Sequence, residues 1–237
     1  SGTSDVLLDD LSAAIDTVGG IDAAVLDARL DLASARNAQQ QHAWRAAGKQ
    51  PEGAITPEWI SACIHDAVGQ DAIIVNEYPL RQPQCLQTQP CTYFGLSPAG
   101  GLGWGLGAAL GAKLAAPEKL VVATLGDGAY MFANPSACHW VAEAHELPVL
   151  TVIFNNALYG AVRNSTKAMY RHGHAAQDAH RMLAELNPSP RFEHVVEASG
   201  GLGIRVEDPA ELPAALARAV ETVRGGRQAL VNVLCEY

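Results

Sequence analysis

No run of lysine or arginine occurs anywhere in the 237 residues, and 16 basic against 25 acidic residues leave a formal net charge of −9. That balance argues against nucleic acid or an anionic membrane surface as a partner, because both are recognised through clustered positive charge. No apolar stretch approaches the roughly 20 residues that a membrane-spanning helix needs. The N-terminus is polar and does not read as a secretory signal, so a cytoplasmic setting without membrane partners is expected. The five cysteines are an odd number without regular spacing. Cys85 and Cys91 lack a matching second pair, which indicates neither a zinc site nor a disulfide framework. Cys63 and Cys138 sit among apolar helix residues, where thiols act as small hydrophobes. Internal repeats and low-complexity tracts are also missing. What is present is 49% hydrophobic and 17% charged residues, the composition of a globular chain with ample core.

The most informative stretch is residues 120–160. A valine-rich apolar run at 120–125 stops at Gly126-Asp127-Gly128. A helix is expected next, with Asn134 as N-cap and Pro135 in its first position. Ala137, Val141, Ala144 and Leu147 follow at helical spacing, and Pro148 is expected to end the helix. A second apolar run, 149–154, stops at Asn155-Asn156. This strand–helix–strand pattern implies parallel neighbours joined by a right-handed crossover. It therefore brings Asp127 and the asparagine pair to one edge of the sheet, where open α/β sheets bind ligands. A carboxylate and an amide carbonyl are hard oxygen donors suited to Mg²⁺ or Ca²⁺. Gly126 and Gly128 permit close backbone approach, and loop N–H groups near a helix start can hold phosphate. Either motif alone reads as a turn. Together on one edge they point to a metal-bridged diphosphate.

Around this unit the chain reads as alternating helices and strands. After a polar leader at Ser1, Gly2 and Thr3, helices are expected over 4–18, with Ser4 as cap, and over 21–47. Gly19-Gly20 separates them, and Leu26, Leu30, Ala33 and Trp44 are the candidate contacts of the second. A polar linker at 48–54 marks the expected boundary between a helical segment, 1–50, and a domain, 51–237. Thr56-Pro57-Glu58 carries the signals of a helix start, and that helix is expected to run to Gly69. A buried strand over 72–75 ends in Asn76-Glu77. The segment 78–92, with prolines at 79, 83 and 90, is a long loop at a strand end, often a functional position. Residues 102–115 place Gly103, Gly105, Gly107 and Gly111 in a helical pattern. Each costs about 1 kcal/mol relative to alanine, so close approach to another backbone or a ligand is expected. The polar segment 161–184, with Arg163, Lys167, Tyr170, Arg171, His172, His174 and His180, reads as a solvated helix or cover. A helix over 192–199, a strand over 202–206, a helix from Asp208-Pro209-Ala210-Glu211 to Val223, and a strand over 229–234 complete the chain. Glu211 is expected in the third helical position. The whole reads as an α/β fold, a mostly parallel sheet with helices on both faces, preceded by a helical segment.

Gly126-Asp127-Gly128, 26 intervening residues, then Asn155-Asn156 resembles the thiamine-diphosphate signature. The chain over residues 55–237 resembles the C-terminal cofactor domain of the acetolactate synthase and benzoylformate decarboxylase superfamily. Ala99-Gly100-Gly101-Leu102-Gly103, the segment from Asn155 to Arg163 (NNALYGAVR) and Asn76-Glu77 carry the same likeness. Two departures are visible. The spacing between the two motifs is one or two residues longer than in benzoylformate decarboxylase, and Tyr78-Pro79-Leu80 stands where that enzyme has hydroxyl residues.

The resemblance implies that Asp127, Asn156 and the backbone carbonyl of Leu158 ligate Mg²⁺, with Gly126, Gly128, Ala129 and Gly160 around the diphosphate of thiamine diphosphate. Leu102 matches the apolar residue beneath the cofactor that forces its two rings into a V. The Gly100 carbonyl matches the acceptor that orients the aminopyrimidine, with Gly101 beside it. Asn76 and Glu77 are expected where a strand-end loop meets the diphosphate, and Tyr159 is expected to face the pocket. The implied activity is that of a decarboxylase or acetolactate synthase-like carboligase acting on a small 2-oxo acid. A 2-hydroxyacyl-CoA lyase and a non-catalytic cofactor-binding module are the alternatives. In this superfamily a glutamate on a separate pyrimidine-binding domain completes the site. Nothing before residue 55 resembles that domain, so it is expected from another polypeptide or an N-terminal part, in a homodimer or homotetramer.

Overall fold

The computed structural model describes residues 4–19, 22–95, 100–177 and 184–236. The polar leader at 1–3, Ile21, Leu96-Ser97-Pro98-Ala99 and His180 lie outside the described residues. The chain divides into two units, Ser1–Trp44 and Arg45–Tyr237. The first contains α1 (Ser4–Thr17) and most of α2 (Ala23–Ala47). Asp22 starts α2 by accepting the Ala24 N–H at 2.8 Å. α2 buries none of its residues, and Leu26 and Leu30 remain 44% and 55% exposed. Neither leucine is buried among the described residues.

The second unit opens with α3 (Pro57–Val68), whose Thr56 hydroxyl accepts the Trp59 N–H at 3.3 Å. Gly69 closes it at φ 71°, a conformation that glycine adopts without strain. Strands β1 (Ile73–Glu77) and β2 (Tyr93–Gly95), helix α4 (Trp104–Ala115) and strand β3 (Val121–Gly126) follow. Then come α5 (Asp127–Phe132), α6 (Pro135–Ala144), β4 (Leu150–Asn155), α7 (Gly160–Met169) and α8 (His174–Gln177). The chain finishes with α9 (Glu193–Glu197), β5 (Leu202–Val206), α10 (Leu212–Arg224) and β6 (Ala229–Leu234).

The six strands form one sheet in the order β2-β1-β3-β4-β6-β5, and every pairing is parallel. Alternate residues serve opposite faces. Ile74, Val122, Val152 and Val231 pack under α3 and α10, through Ile60, Ile64, Leu216 and Val220. Val75, Val121, Ala123 and Ile153 pack under α4, α5, α6 and α9, through Leu106, Tyr130, Ala142 and Val196. Burial on both faces is why the inner strands read as largely apolar runs. From β1 the chain passes outward to β2, then returns over β1 through α4 to β3. The carboxyl ends of β1 and β3 therefore flank a switch point, where sheets of this kind leave a crevice.

Several boundaries differ from expectation, each for a local reason. Helix α6 ends at Ala144, before Pro148. Glu146 turns left-handed at φ 54°, Leu147 N–H bonds Ala142 O at 2.8 Å, and Glu146 N–H bonds Glu143 O at 3.3 Å, a Schellman closure. Asn134 occupies the cap position of α6 with φ 50° and makes no side-chain cap bond. A separate helix, α5, fills the space where a loop was expected. α10 begins at Leu212, and Glu211 precedes it. Asp208 Oδ1 accepts the Ala210 N–H at 2.8 Å, closing a turn ahead of the helix. α9 spans Glu193–Glu197, shorter than expected. β2 is a three-residue edge strand, too short to show a period.

Candidate functional site

The β3–β4 register sets Gly126 opposite Phe154, so the loops leaving both strands emerge side by side. Asp127 is the first residue of α5 and is 2% exposed. Its Oδ1 accepts the Gly128 N–H at 2.8 Å, and its Oδ2 accepts the Leu158 N–H at 3.2 Å. The second bond joins the two loop tips. Burial pushes the Asp127 carboxyl up to about 6, against the lowering effect of the N–H groups of Gly128, Leu158 and Ala157. A carboxylate has about four lone-pair positions, so two bonds leave acceptor capacity for a cation.

The asparagine pair divides its roles. Asn155 is buried, its Oδ1 accepts the Ala157 N–H at 3.1 Å, and its Nδ2 reaches Ser189 Oγ at 2.9 Å and Asn232 Oδ1 at 3.0 Å. Asn232 in turn donates to the buried Glu193 at 2.8 Å. Asn155 thus anchors the loop to β6 and α9. Asn156 is half-buried and its amide makes no hydrogen bond among the described residues, which leaves that oxygen uncommitted. Beyond it, Ala157 is left-handed at φ 53°. Tyr159, at φ −71° and ψ 69°, closes an inverse γ-turn in which Leu158 O accepts the Gly160 N–H at 2.8 Å. The Leu158 carbonyl retains a second lone pair. The Tyr159 ring lies on Gly128, where a Cβ would stand 2.5 Å from its Cδ1. Phe132 meets the same ring edge-on, centroids 6.0 Å apart at 89°.

The opposite wall comes from β1 and the approach to α4. Asn76 Oδ1 accepts the Leu80 N–H at 3.1 Å and the Thr124 hydroxyl at 3.0 Å, and its Nδ2 donates to Tyr93 at 3.0 Å. Glu77 is fully buried, with Oε1 accepting the Gly103 N–H at 2.6 Å and Oε2 the Gly105 N–H at 2.7 Å. Both side chains are committed to protein partners. Gly100 is left-handed at φ 63°, and among the described residues nothing lies within 4 Å of where a Cβ on Gly100 or Gly101 would stand. Leu102 follows, 38% exposed. A Cβ on Gly103 would lie 2.6 Å from Phe132 C, and one on Gly105 would lie 2.7 Å from Leu125 Cδ2. Close approach therefore accounts for these two glycines. It does not account for Gly107 and Gly111, which face open space.

The structure thus brings Gly126, Asp127, Gly128, Ala129, Asn156, Leu158, Tyr159 and Gly160 into one cluster. It links that cluster to Leu102 through the contact of Gly103 with Phe132. Among the described residues no group of three or more His, Cys, Asp or Glu could hold a metal. Any cation held here would take mixed donors, of which Asp127 is the carboxylate. A cavity of about 400 Å³ bordered by Lys113, Leu120, Pro148 and Arg224 lies at the other edge, where the strands begin. The anchoring of Asn155 by Ser189 and Asn232 escaped sequence reading, since no local pattern joins residues so far apart. The onset of α5 at Asp127 was discoverable, because Ala129, Tyr130 and Ala133 carry a helical spacing.

Comparison with known proteins bears on this cluster. The family described as "Thiamine pyrophosphate enzyme, C-terminal TPP binding domain" matches residues 67–233. A probable acetolactate synthase of Mycobacterium bovis is 39% identical over 148 residues, 62% of this chain and 24% of that protein. A 2-hydroxyacyl-CoA lyase of Oryza sativa subsp. japonica is 32% identical over 155 residues, 64% of this chain and 25% of its own length. Among solved structures, a thiamine diphosphate-dependent 4-hydroxybenzoylformate decarboxylase of Rhodococcus jostii RHA1 superposes with a TM-score of 0.67 at 25% identity. That match covers 80% of this chain and 34% of the decarboxylase. The chain therefore spans about a quarter of the length of the curated relatives it matches.

Proposed function

The chain belongs to the thiamine pyrophosphate enzymes as their C-terminal TPP-binding domain, and from that premise we propose that it forms the diphosphate- and metal-holding half of an enzyme acting on 2-oxo acids. Asp127, the Asn156 amide oxygen and the Leu158 carbonyl hold Mg²⁺. Three hard oxygen donors, one of them charged, fit that ion. Gly126, Gly128, Ala129 and Gly160 let the backbone approach the diphosphate. Leu102 supports the cofactor's rings, the Gly100 carbonyl orients the aminopyrimidine with Gly101 beside it, and Tyr159 faces the pocket. When bound, thiamine diphosphate supplies a nucleophilic carbon that attacks a carbonyl and then serves as an electron sink. The chain's residues contribute orientation and a fixed charge clamp.

The observation that carries this reading is the 3.2 Å bond from Leu158 N–H to Asp127 Oδ2, with Asn156 left uncommitted beside it. The reaction is decarboxylation or an acetolactate synthase-like carboligation. It is completed by a pyrimidine-binding domain, from another polypeptide or an N-terminal part, within a homodimer or homotetramer. A lyase acting on 2-hydroxyacyl-CoA is the second reading, favoured by the rice relative. Calorimetry of thiamine diphosphate with and without Mg²⁺, followed by assays with pyruvate, benzoylformate and a 2-hydroxyacyl-CoA in the presence of the completing pyrimidine-binding domain, tests both. Mg²⁺-dependent binding with turnover of a 2-oxo acid is expected. Binding that ignores Mg²⁺ overturns the metal assignment, and binding without turnover of any of the three substrates overturns the catalytic one.

A further inference from the structure

Helix α4 starts without a side-chain cap of its own: Gly103, the residue before it, has none to offer. The first N–H groups of a helix need acceptors, and here a fully buried carboxylate from another element supplies them. Glu77 ends β1, and its two oxygens take the N–H of Gly103 at 2.6 Å and of Gly105 at 2.7 Å. The grip is close, since a Cβ on Gly105 would stand 2.9 Å from Glu77 Oε2. On the far side Gly103 abuts the Phe132 backbone at a distance that no Cβ could occupy. The start of α4 is therefore wedged between the end of β1 and the end of α5. Immediately before it, no described residue comes within 4 Å of where a Cβ on Gly100 or Gly101 would stand, and Leu102 is the first residue next to the wedge.

We infer that Glu77 is a positioning residue. Its carboxylate, through Gly103 and Gly105, sets where Leu102 and the preceding glycines stand, and so places the support for the organic rings of the cofactor. It does not touch the diphosphate. This inference rests on the cofactor reading above. It divides the site in two: Asp127, Asn156 and Leu158 hold the metal and diphosphate, while Glu77 governs the ring end.

Inorganic pyrophosphate with Mg²⁺ probes the first half alone, and thiamine diphosphate with Mg²⁺ probes both. In the full-length protein, Glu77→Gln keeps the volume but turns an amide N–H₂ towards one of the two donors. Loss of a charge-assisted bond of this kind is expected to weaken thiamine diphosphate binding about tenfold or more. Pyrophosphate binding is expected to stay within about twofold, and amide exchange at Gly103 and Gly105 to accelerate. A generally loosened fold would weaken both ligands together, and that result overturns the inference, as does unchanged affinity for thiamine diphosphate. Glu77→Asp retains the charge and reaches one N–H at most, so it answers the question should the Gln variant not fold, with the same split at smaller size. If the wild-type protein binds neither ligand, the cofactor reading itself fails and takes this inference with it.

Discussion

Asp127 and Leu158 stand 31 positions apart in sequence, yet the carboxylate of one accepts the backbone N–H of the other at 3.2 Å. That bond holds an acid in a place where, without a cation, its charge is costly. With the carboxyl raised from 3.8 to about 6, the group favours the folded chain below pH 4. That contribution is lost as pH rises to 6 and beyond, at a cost of up to about 3 kcal/mol. Asp127→Asn removes the charge, although its amide opposes one N–H. The ligand-free variant is expected to melt a few degrees higher at pH 7 and to lose Mg²⁺-dependent cofactor binding. Calorimetry of both proteins checks the two changes together.

The two asparagines should respond oppositely. Asn155→Ala removes four hydrogen bonds within a buried network and is expected to lower stability by about 2–3 kcal/mol. Asn156→Ala should change stability by about 0.5 kcal/mol or less while weakening the metal. Chemical denaturation and Mg²⁺ titration separate the pair.

Gly128→Ala places a methyl where the Tyr159 ring already stands. A loss of about 1–3 kcal/mol is expected. Adding Tyr159→Ala should make the second cost smaller than it is in the wild-type background, a coupling that a double-mutant cycle reads directly.

A buried relay supports α5 from behind. Tyr130 Oη lies 2.8 Å from His139 Nε2, and His139 Nδ1 lies 2.8 Å from Gln228 Oε1. Gln228 Nε2 donates to the carbonyls of His139 and Ser199. An amide oxygen only accepts, so Nδ1 carries the proton and Nε2 receives the tyrosine hydroxyl. Burial holds His139 below its ordinary 6.5, with the Gln228 bond opposing. A depressed histidine stabilises the fold above the unfolded value, and that contribution drains away as pH falls from 6.5 towards the folded one. Between wild type and His139→Leu, the difference in stability should therefore shrink on acidification below pH 6.5. Asp127 is common to both proteins and cancels. Tyr130→Phe, which leaves Nε2 without a donor, should cost about 1–2 kcal/mol.

Much of the fold was legible because parallel strands buried on both faces announce themselves: 229–234 is found where the apolar run lies, and the partly buried edge strand 202–206 is found between its two turn signals. Helix starts were legible where the cap is local, as at Thr56. A start was misplaced where a side chain built a turn first, as at Asp208, and an end where a backbone motif closed the helix early, as at Glu146. In the site, the meeting of the two loop tips followed from topology alone. What Glu77 and Asn155 do could not be read from sequence, because their partners, Gly103, Gly105, Ser189 and Asn232, are close only after folding. The glycine spacing of α4 divides in the structure: another group closes on Gly103 and Gly105, whereas nothing among the described residues closes on Gly107 and Gly111.

The excursion from β1 to β2 leaves the sheet after Glu77 and rejoins it at Tyr93, and the two strands pair with each other over residues 74–76 and 93–95. Midway along it Cys85 is wholly buried in the core, and Gln70 bonds Leu86 and Thr88, so the detour is pinned at its middle as well as at its ends. A change of length is therefore absorbed most readily at the exposed residues 88–91, clear of the start of α4 and the acid at the tip of β3.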